Sequence, residues 1–416
     1  MVPVPLVLRW LVLPLAGVAA LGVALVEYQT LRSLQWERPA ETLSELVVRQ
    51  PWGGLSGQAL ASTLDDTLGL EPDAAESVLA WQLQRYPLAP SRWFSRALNA
   101  HYAGACPTRV LEHLQAALAV QPAQPAVKWE AVSLSVDLGR YDLAERYLRD
   151  WLEGQPAHRT GEALAAAYFW IPDAAELIER ILPAEEEYLL AALDFARRVV
   201  WLDLAEQAWR RLPHPRPPDD PALFDFVDVA LDEGELDRAM AAWQASLPDD
   251  RPGAVPNADF QRELGPGRGF TWRTRLPAGA RVSRDEAEFV TAPASLRLDF
   301  DGRENLRVSG LGLRIPTPPG ANRWILTGQW RAEGLTTASL PYLLLSGEDG
   351  RDRLDVPATS FDWTPFALDV ETSGDGVLLQ LQIGRDPTRH DFDRFLSGQL
   401  WLDALRLEPV TAPATD

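Results

Sequence analysis

Two hydrophobic rhythms divide this chain of 416 residues. From about residue 40 to 252, apolar positions recur at helical spacing. In 141–152, Tyr141, Ala144, Leu148, Trp151 and Leu152 share one face, with arginines and acids opposite. A small residue opening such a pattern is followed twelve positions later by a proline at Ala75/Pro87, Val110/Pro122, Ala144/Pro156 and Ala205/Pro217. These pairs begin 35, 34 and 61 residues apart, the last gap being close to two periods. A fifth copy starts at Ala239, with its proline one residue late at Pro252. A period near 34 predicts an array of helix hairpins. Glycine permits the tight turn between helices, alanine lets them approach closely, and proline stops the second helix. Gly139 and Gly234 stand at two such turns, and the copy at Trp201 lacks the glycine. The stretch 158–187 is short or irregular.

Past Pro252 the period falls to two. Leu296, Leu298 and Phe300 point one way while Arg297 and Asp299 point the other. Trp324, Leu326 and Trp330 share parity, as do Phe366, Leu368 and Val370, and Val377, Leu379, Leu381 and Ile383. Turn-forming runs at 347–350 and 373–376 separate these segments, which predicts an all-β sandwich over 254–410.

A third pattern occupies the start of the chain. Leu11–Val26 is uninterruptedly apolar, and with its flanks it reaches the ~20 residues a helix needs to span a bilayer. Arg9 and Trp10 precede it as interfacial residues. The segment reads as a retained single-pass anchor within residues 1–30. A cleaved signal peptide, with Gly22, Val23 and Ala24 as small residues for processing, is the competing reading. Either way the rest of the chain is expected outside the cytoplasm, in a bacterial periplasm, with the inner membrane as a partner.

Composition narrows the function. The net charge is −20, made of −16 over residues 1–250 and −4 over 251–416. Such a field repels phosphate backbones and excludes nucleic acid as a partner. Cys106 is the single cysteine, so neither an internal disulfide nor a thiolate cluster can form, and it reads as a half-buried filler between two helices. The five histidines show no metal-binding helical pair, and no nucleophile elbow or phosphate-cradling loop is present. The pairs Asp299/Asp301 and Asp391/Asp393 sit beside turn residues and read as solvated surface. Neither a cofactor nor catalysis is expected.

The residues Gly139 to Glu145, and again Gly234 to Ala239, resemble the turn into the second helix of a tetratricopeptide repeat. That resemblance, over roughly 60–252, implies an α-solenoid whose groove binds a peptide or another envelope protein. The usual first-helix tryptophan and glycine–tyrosine pair are mostly missing, and Trp93, Trp129 and Phe169 stand in their packing role. Downstream, Asn257-Ala-Asp-Phe-Gln261 with Phe270 and Trp272 opens the β segment, and Gly398 to Leu407 closes it. This pairing resembles carbohydrate-binding modules with a galactose-binding-like jelly roll. It implies polysaccharide binding on aromatic faces, with Trp363, Trp330 and Trp324 as ligand-binding candidates, the sandwich interior as the competing reading for Trp324 and Trp330, which share parity, and Trp272 and Trp401 as core. Gln261 replaces a frequent glutamate, which weakens a calcium site, and Asp403 reads as a cap or salt-bridge partner, with cation ligation as the competing reading. The expected whole is multidomain: a single N-terminal transmembrane helix, a helix-hairpin solenoid over 40–252 and a jelly-roll sandwich over 254–410. Its expected role is a scaffold in assembly, export or retention of a surface polysaccharide. The alternative is an envelope assembly factor that binds protein only.

Overall fold

The computed structural model describes residues 72–410. The expected membrane span lies outside these residues. Among the described residues, no helix is long and apolar enough to cross a membrane.

Among the described residues, eleven α-helices come first: α1 (Pro72–Arg85), α2 (Pro90–Tyr102), α3 (Pro107–Val120), α4 (Pro125–Asp137), α5 (Tyr141–Leu152), α6 (Thr160–Ala167), α7 (Ala174–Ile181), α8 (Glu186–Val199), α9 (Leu202–Arg211), α10 (Pro221–Asp232) and α11 (Leu236–Ser246). Helices α2, α3, α4 and α10 start on proline, where the absent N–H would have had no helical partner. The periodic residues Ala75, Val110, Ala144, Ala205 and Ala239 each stand fourth in α1, α3, α5, α9 and α11. The last four are completely buried, because each second helix lies against the helix before it. Gly139 and Gly234 take the left-handed turn between helices, at φ 67° and 79°. At the copy without glycine, Val200 adopts that conformation instead, at φ 54° and ψ 62°. This costs a β-branched residue about 1–2 kcal/mol, which the packing on both sides offsets.

Two expectations fail here. Phe169 does not pack but is 88% exposed, because α6 stops at Ala167 and leaves it in the following loop. Cys106 is exposed at the N-cap of α3, not half-buried. The irregular stretch consists of the eight-residue helices α6 and α7.

The chain gathers into two compact units that divide between Arg159 and Thr160. Helices α1–α5 belong to the first. Helices α6–α11 belong to the second, with ten strands: β1 (Arg273–Arg275), β2 (Ala280–Asp285), β3 (Ser295–Asp301), β4 (Val308–Pro316), β5 (Arg323–Glu333), β6 (Tyr342–Ser346), β7 (Arg351–Asp355), β8 (Phe361–Glu371), β9 (Leu378–Arg385) and β10 (Ser397–Pro409). They form a two-sheet antiparallel jelly-roll sandwich. Sheet A has the order β1-β4-β9-β6-β7 and sheet B the order β2-β3-β10-β5-β8. Alternation places Leu296, Leu298, Leu326, Leu400 and Leu402 of sheet B against Leu311, Leu313, Leu343, Leu381 and Ile383 of sheet A in one core.

Within the second unit, α10 and α11 are joined to the sandwich through the loop before β1. Arg268 donates to Asp225 at 2.6 Å and to Asp228 at 2.8 Å, and the Gly269 amide donates to Asp228 at 2.8 Å. A Cβ on Gly269, which sits at φ 54°, would lie 3.0 Å from the Trp243 ring, so glycine is required for this approach. Trp243 meets Phe270 edge-on at 5.4 Å and donates to Asp250 at 2.9 Å. Burial pushes the Asp225 carboxyl above its usual range, and the neighbouring arginines offset this only in part.

Candidate binding site

The sandwich has two outer faces, and two of the three tryptophan candidates lie on neither. Trp324 and Trp330 of β5 are 2% and 3% exposed and belong to the core between the sheets. Their shared parity is the inward one: Trp330 packs against Phe361 and Phe366, with ring centres at 5.9 and 5.3 Å. Neither ring can meet a sugar. Trp363 stands at an irregularity in β8, the edge strand of sheet B, where β8 slips register against β5 between Trp330 and Ala332. It is half-buried and outside the core. The three candidates therefore do not converge.

On the outer face of sheet B, one row crosses four strands: Ser283, Arg297, Trp401 and Arg331. Trp401 is 2% exposed, buried as expected, though it lies outside the cluster between the two sheets. Two guanidinium groups flank its ring, Arg297 at 5.6 Å and Arg331 at 5.0 Å. Its indole N–H donates to Asp285 at 2.9 Å. The loop after β2 closes over this row. Asp403 accepts from the Val290 and Thr291 amides at 2.6 and 2.7 Å and from the Ala404 amide at 2.6 Å, the capping role expected of it. Arg331 pairs with Glu288 from the same loop. Burial drives the Asp285 carboxyl upward, but donors from Trp401, Ala287, Glu288 and Arg297 outweigh this and hold it below its usual range. This face is closed by its own side chains.

The outer face of sheet A is open around Gln380 and Arg351, and Asp228 of α10 approaches it only at Arg314. Its central row reads Arg273, Gly312, Gln382, Leu344 and Arg353 across all five strands. A second row reads Arg314, Gln380, Ser346 and Arg351. Gly310 faces Arg275 one step along β1. A Cβ at Gly310 would stand 2.2 Å from the Arg275 carbonyl, and one at Gly312 would stand 2.4 Å from the Leu381 carbonyl. Both positions must be bare, so the floor between the arginines stays low. A shallow cleft of about 100 Å³ runs there, lined by Arg273, Ser309, Arg314, Gln380 and Gln382. Gln382 donates to the Ser309 carbonyl at 3.1 Å, which orients its amide. At the other end Tyr342 lies over Gly384 and carries the Arg353 guanidinium on its ring at 3.7 Å. Burial, and then the positive charge of Arg273, lower the Arg314 pKa, and Asp228 at 3.8 Å offsets this only weakly.

A second opening lies where α10 and α11 meet the loop before β1. It has a volume of about 400 Å³ and is walled by Phe224, Trp243, Phe270 and Trp272, with Asn257 and Arg262 among its polar residues. Asn257 closes its own loop by bonding both ways with the Arg262 backbone, at 3.0 and 2.9 Å. The opening motif is thus a locked turn. Among the described residues, no cluster of histidine, cysteine and carboxylate side chains suits a metal ion.

The alternating pattern marks Gln380, Gln382 and Arg351 as outward-facing. That they form one surface with Arg273 and Arg314 depends on strand order and register, which no local signal carries.

No family model matches this chain, and no curated protein matches it. Similar solved structures include TmCBM61 in complex with beta-1,4-galactotriose, 12% identical, covering 38% of this chain and 99% of that one at a TM-score of 0.28. The module described as Family 16 Carbohydrate Binding Module-2 is 14% identical over 37% and 98%, at a TM-score of 0.27. The CBM22-1 xylan-binding domain from Paenibacillus barcinonensis Xyn10C is 15% identical over 39% and 99%, at a TM-score of 0.24.

Proposed function

We propose that this protein is a binding scaffold without catalytic turnover, and that its sandwich takes a polysaccharide along the outer face of sheet A. The observation that carries this reading is the pairing of an obligatorily bare glycine floor with amide and hydroxyl side chains, Ser309, Gln380 and Gln382. Such groups satisfy sugar hydroxyls by hydrogen bonding in both directions. The helix hairpins supply apolar-backed surfaces on which an envelope partner protein docks. The apolar stretch Leu11–Val26 holds the chain at the inner membrane with its bulk in the periplasm. In that setting the scaffold serves assembly, export or retention of a surface glycan.

Affinity electrophoresis of the full chain in gels containing different polysaccharides tests the sandwich. The Gln380→Ala/Gln382→Ala double variant should lose about tenfold in affinity, the equivalent of roughly 1.4 kcal/mol for the hydrogen bonds removed. One observation favours the second reading, a protein-only assembly factor: Trp324 and Trp330 are buried and so cannot serve as stacking platforms. Absence of retention on every glycan would select that reading.

A further inference from the structure

Resting on the glycan reading above, we infer that the polymer is anionic: a uronate- or sulfate-bearing polysaccharide laid across sheet A between two arginine edges. In a chain of net charge −20, the strand residues on this one face include five arginines: Arg273 and Arg275 on β1, Arg314 on β4, and Arg351 and Arg353 on β7. The same strands present one outward carboxylate, Asp355. Strands β1 and β7 are the two edges of the sheet. Four strand spacings of about 4.8 Å separate them by roughly 19 Å. The arginines thus form two rails, and the neutral side chains Gln380, Gln382, Ser346 and Leu344 lie between.

Pairing decides what the rails are for. Arg353 is held by Asp355 at 2.8 Å and Asp386 at 3.2 Å, and it stacks on Tyr342. By contrast, Arg273, Arg275 and Arg351 have no ion pair or side-chain hydrogen bond among the described residues. Arg314 is half-buried and crowded by the like charge of Arg273, and Asp228 of α10 reaches it only at 3.8 Å. A like-charge group around a cleft, in a protein with a large surplus of carboxylates elsewhere, is unfavourable until an anion arrives. Carboxylate and sulfate groups match the planar guanidinium fork in two-point contacts, and the amides between the rails take the hydroxyls. The acidic remainder of the chain repels polyanions, so binding is confined to this face and weakens with salt.

The test is affinity electrophoresis of the full chain against matched pairs: polygalacturonate, alginate and hyaluronan, each beside its methyl-esterified or carboxyl-reduced form, with polyphosphate as a further arm. Retention is expected on at least one polyuronate and should fall at least tenfold in its neutral counterpart and again between 50 and 300 mM salt. The triple variant Arg273→Gln/Arg275→Gln/Arg351→Gln should lose at least thirtyfold with its melting temperature unchanged. Equal retention on a neutral counterpart overturns the anionic assignment and leaves the glycan reading standing. Retention on none of the glycans overturns the glycan reading itself. Retention on polyphosphate as strong as on any polyuronate overturns both, because the face would then be a general polyanion patch.

Discussion

The two outer faces of the sandwich use arginine in opposite ways. On sheet B, Arg297 is bound to Asp299 at 2.8 Å and Asp285 at 3.2 Å, while Arg331 reaches Glu288 and, at 3.2 Å, Glu333. Both flank Trp401, and the loop after β2 covers the row. On sheet A, Arg273, Arg275 and Arg351 meet no carboxylate among the described residues, and the Gly310–Gly312 floor beside β1 stays bare. An arginine enclosed by its own partners belongs to the fold, and its charge is already spent locally. One left open contributes little to folding and keeps both its charge and its donors for something else. The contrast separates structure from function without any appeal to residue type, since the type is the same.

The largest expected effect sharpens the sheet B side. Trp401→Ala removes a fully buried ring, opens a cavity under the loop and strips Asp285 of a hydrogen bond while two guanidinium groups lose their flat partner. The loss of stability should be about 3–5 kcal/mol, read from urea denaturation. A loss under about 1 kcal/mol would mean that sheet B is not closed in solution, and the comparison would break at once.

A smaller effect carries a defined dependence on pH. The Asp285 carboxyl sits below its ordinary value of 3.8 in the folded state. The unfolded chain therefore holds that proton more tightly. The stabilisation is fully present above the ordinary value and drains away as pH falls through the lower folded value. Asp285→Asn should cost roughly 1–3 kcal/mol at pH 7, because an amide cannot accept from all four donors. The gap between wild type and variant should shrink below about pH 4. Denaturation curves at pH 7 and pH 3 check this, and a gap that widens at low pH contradicts the assignment.

What was legible in the chain follows the range of the interaction that produces it. The helix hairpins arise from contacts within about one period, so Val110, Ala144, Ala205 and Ala239 could be picked out, and all four are buried. The parity of Leu296, Leu298 and Phe300 marks an inward face for the same local reason. Parity also binds Trp324 to Trp330, but it cannot say whether their shared side is core or solvent. Trp401 shows the limit most clearly. It has outward parity and is buried all the same, because Asp403 captures the amides of Val290 and Thr291 from more than 110 positions away. The arginine rails are invisible for a related reason: residues 273, 312, 382, 344 and 353 become a row only through four separate strand pairings. Phe169 escaped because the end of α6 depends on where its neighbours let it stop.

The smallest expected effect is the most discriminating. Arg351→Ala removes an exposed guanidinium at the edge of sheet A that no carboxylate among the described residues holds. Its effect on stability should stay within about 0.5 kcal/mol. Arg297→Ala on sheet B leaves Asp285 short of a donor and exposes the Trp401 ring, so it should cost about 1–3 kcal/mol. Both variants delete one positive charge from the same sandwich, so any long-range effect of the net charge cancels between them. The difference that remains measures how far each guanidinium has been committed to the fold. If Arg351→Ala proves as costly as Arg297→Ala, the open rail is structural after all, and sheet A loses its claim to be a surface kept for a ligand.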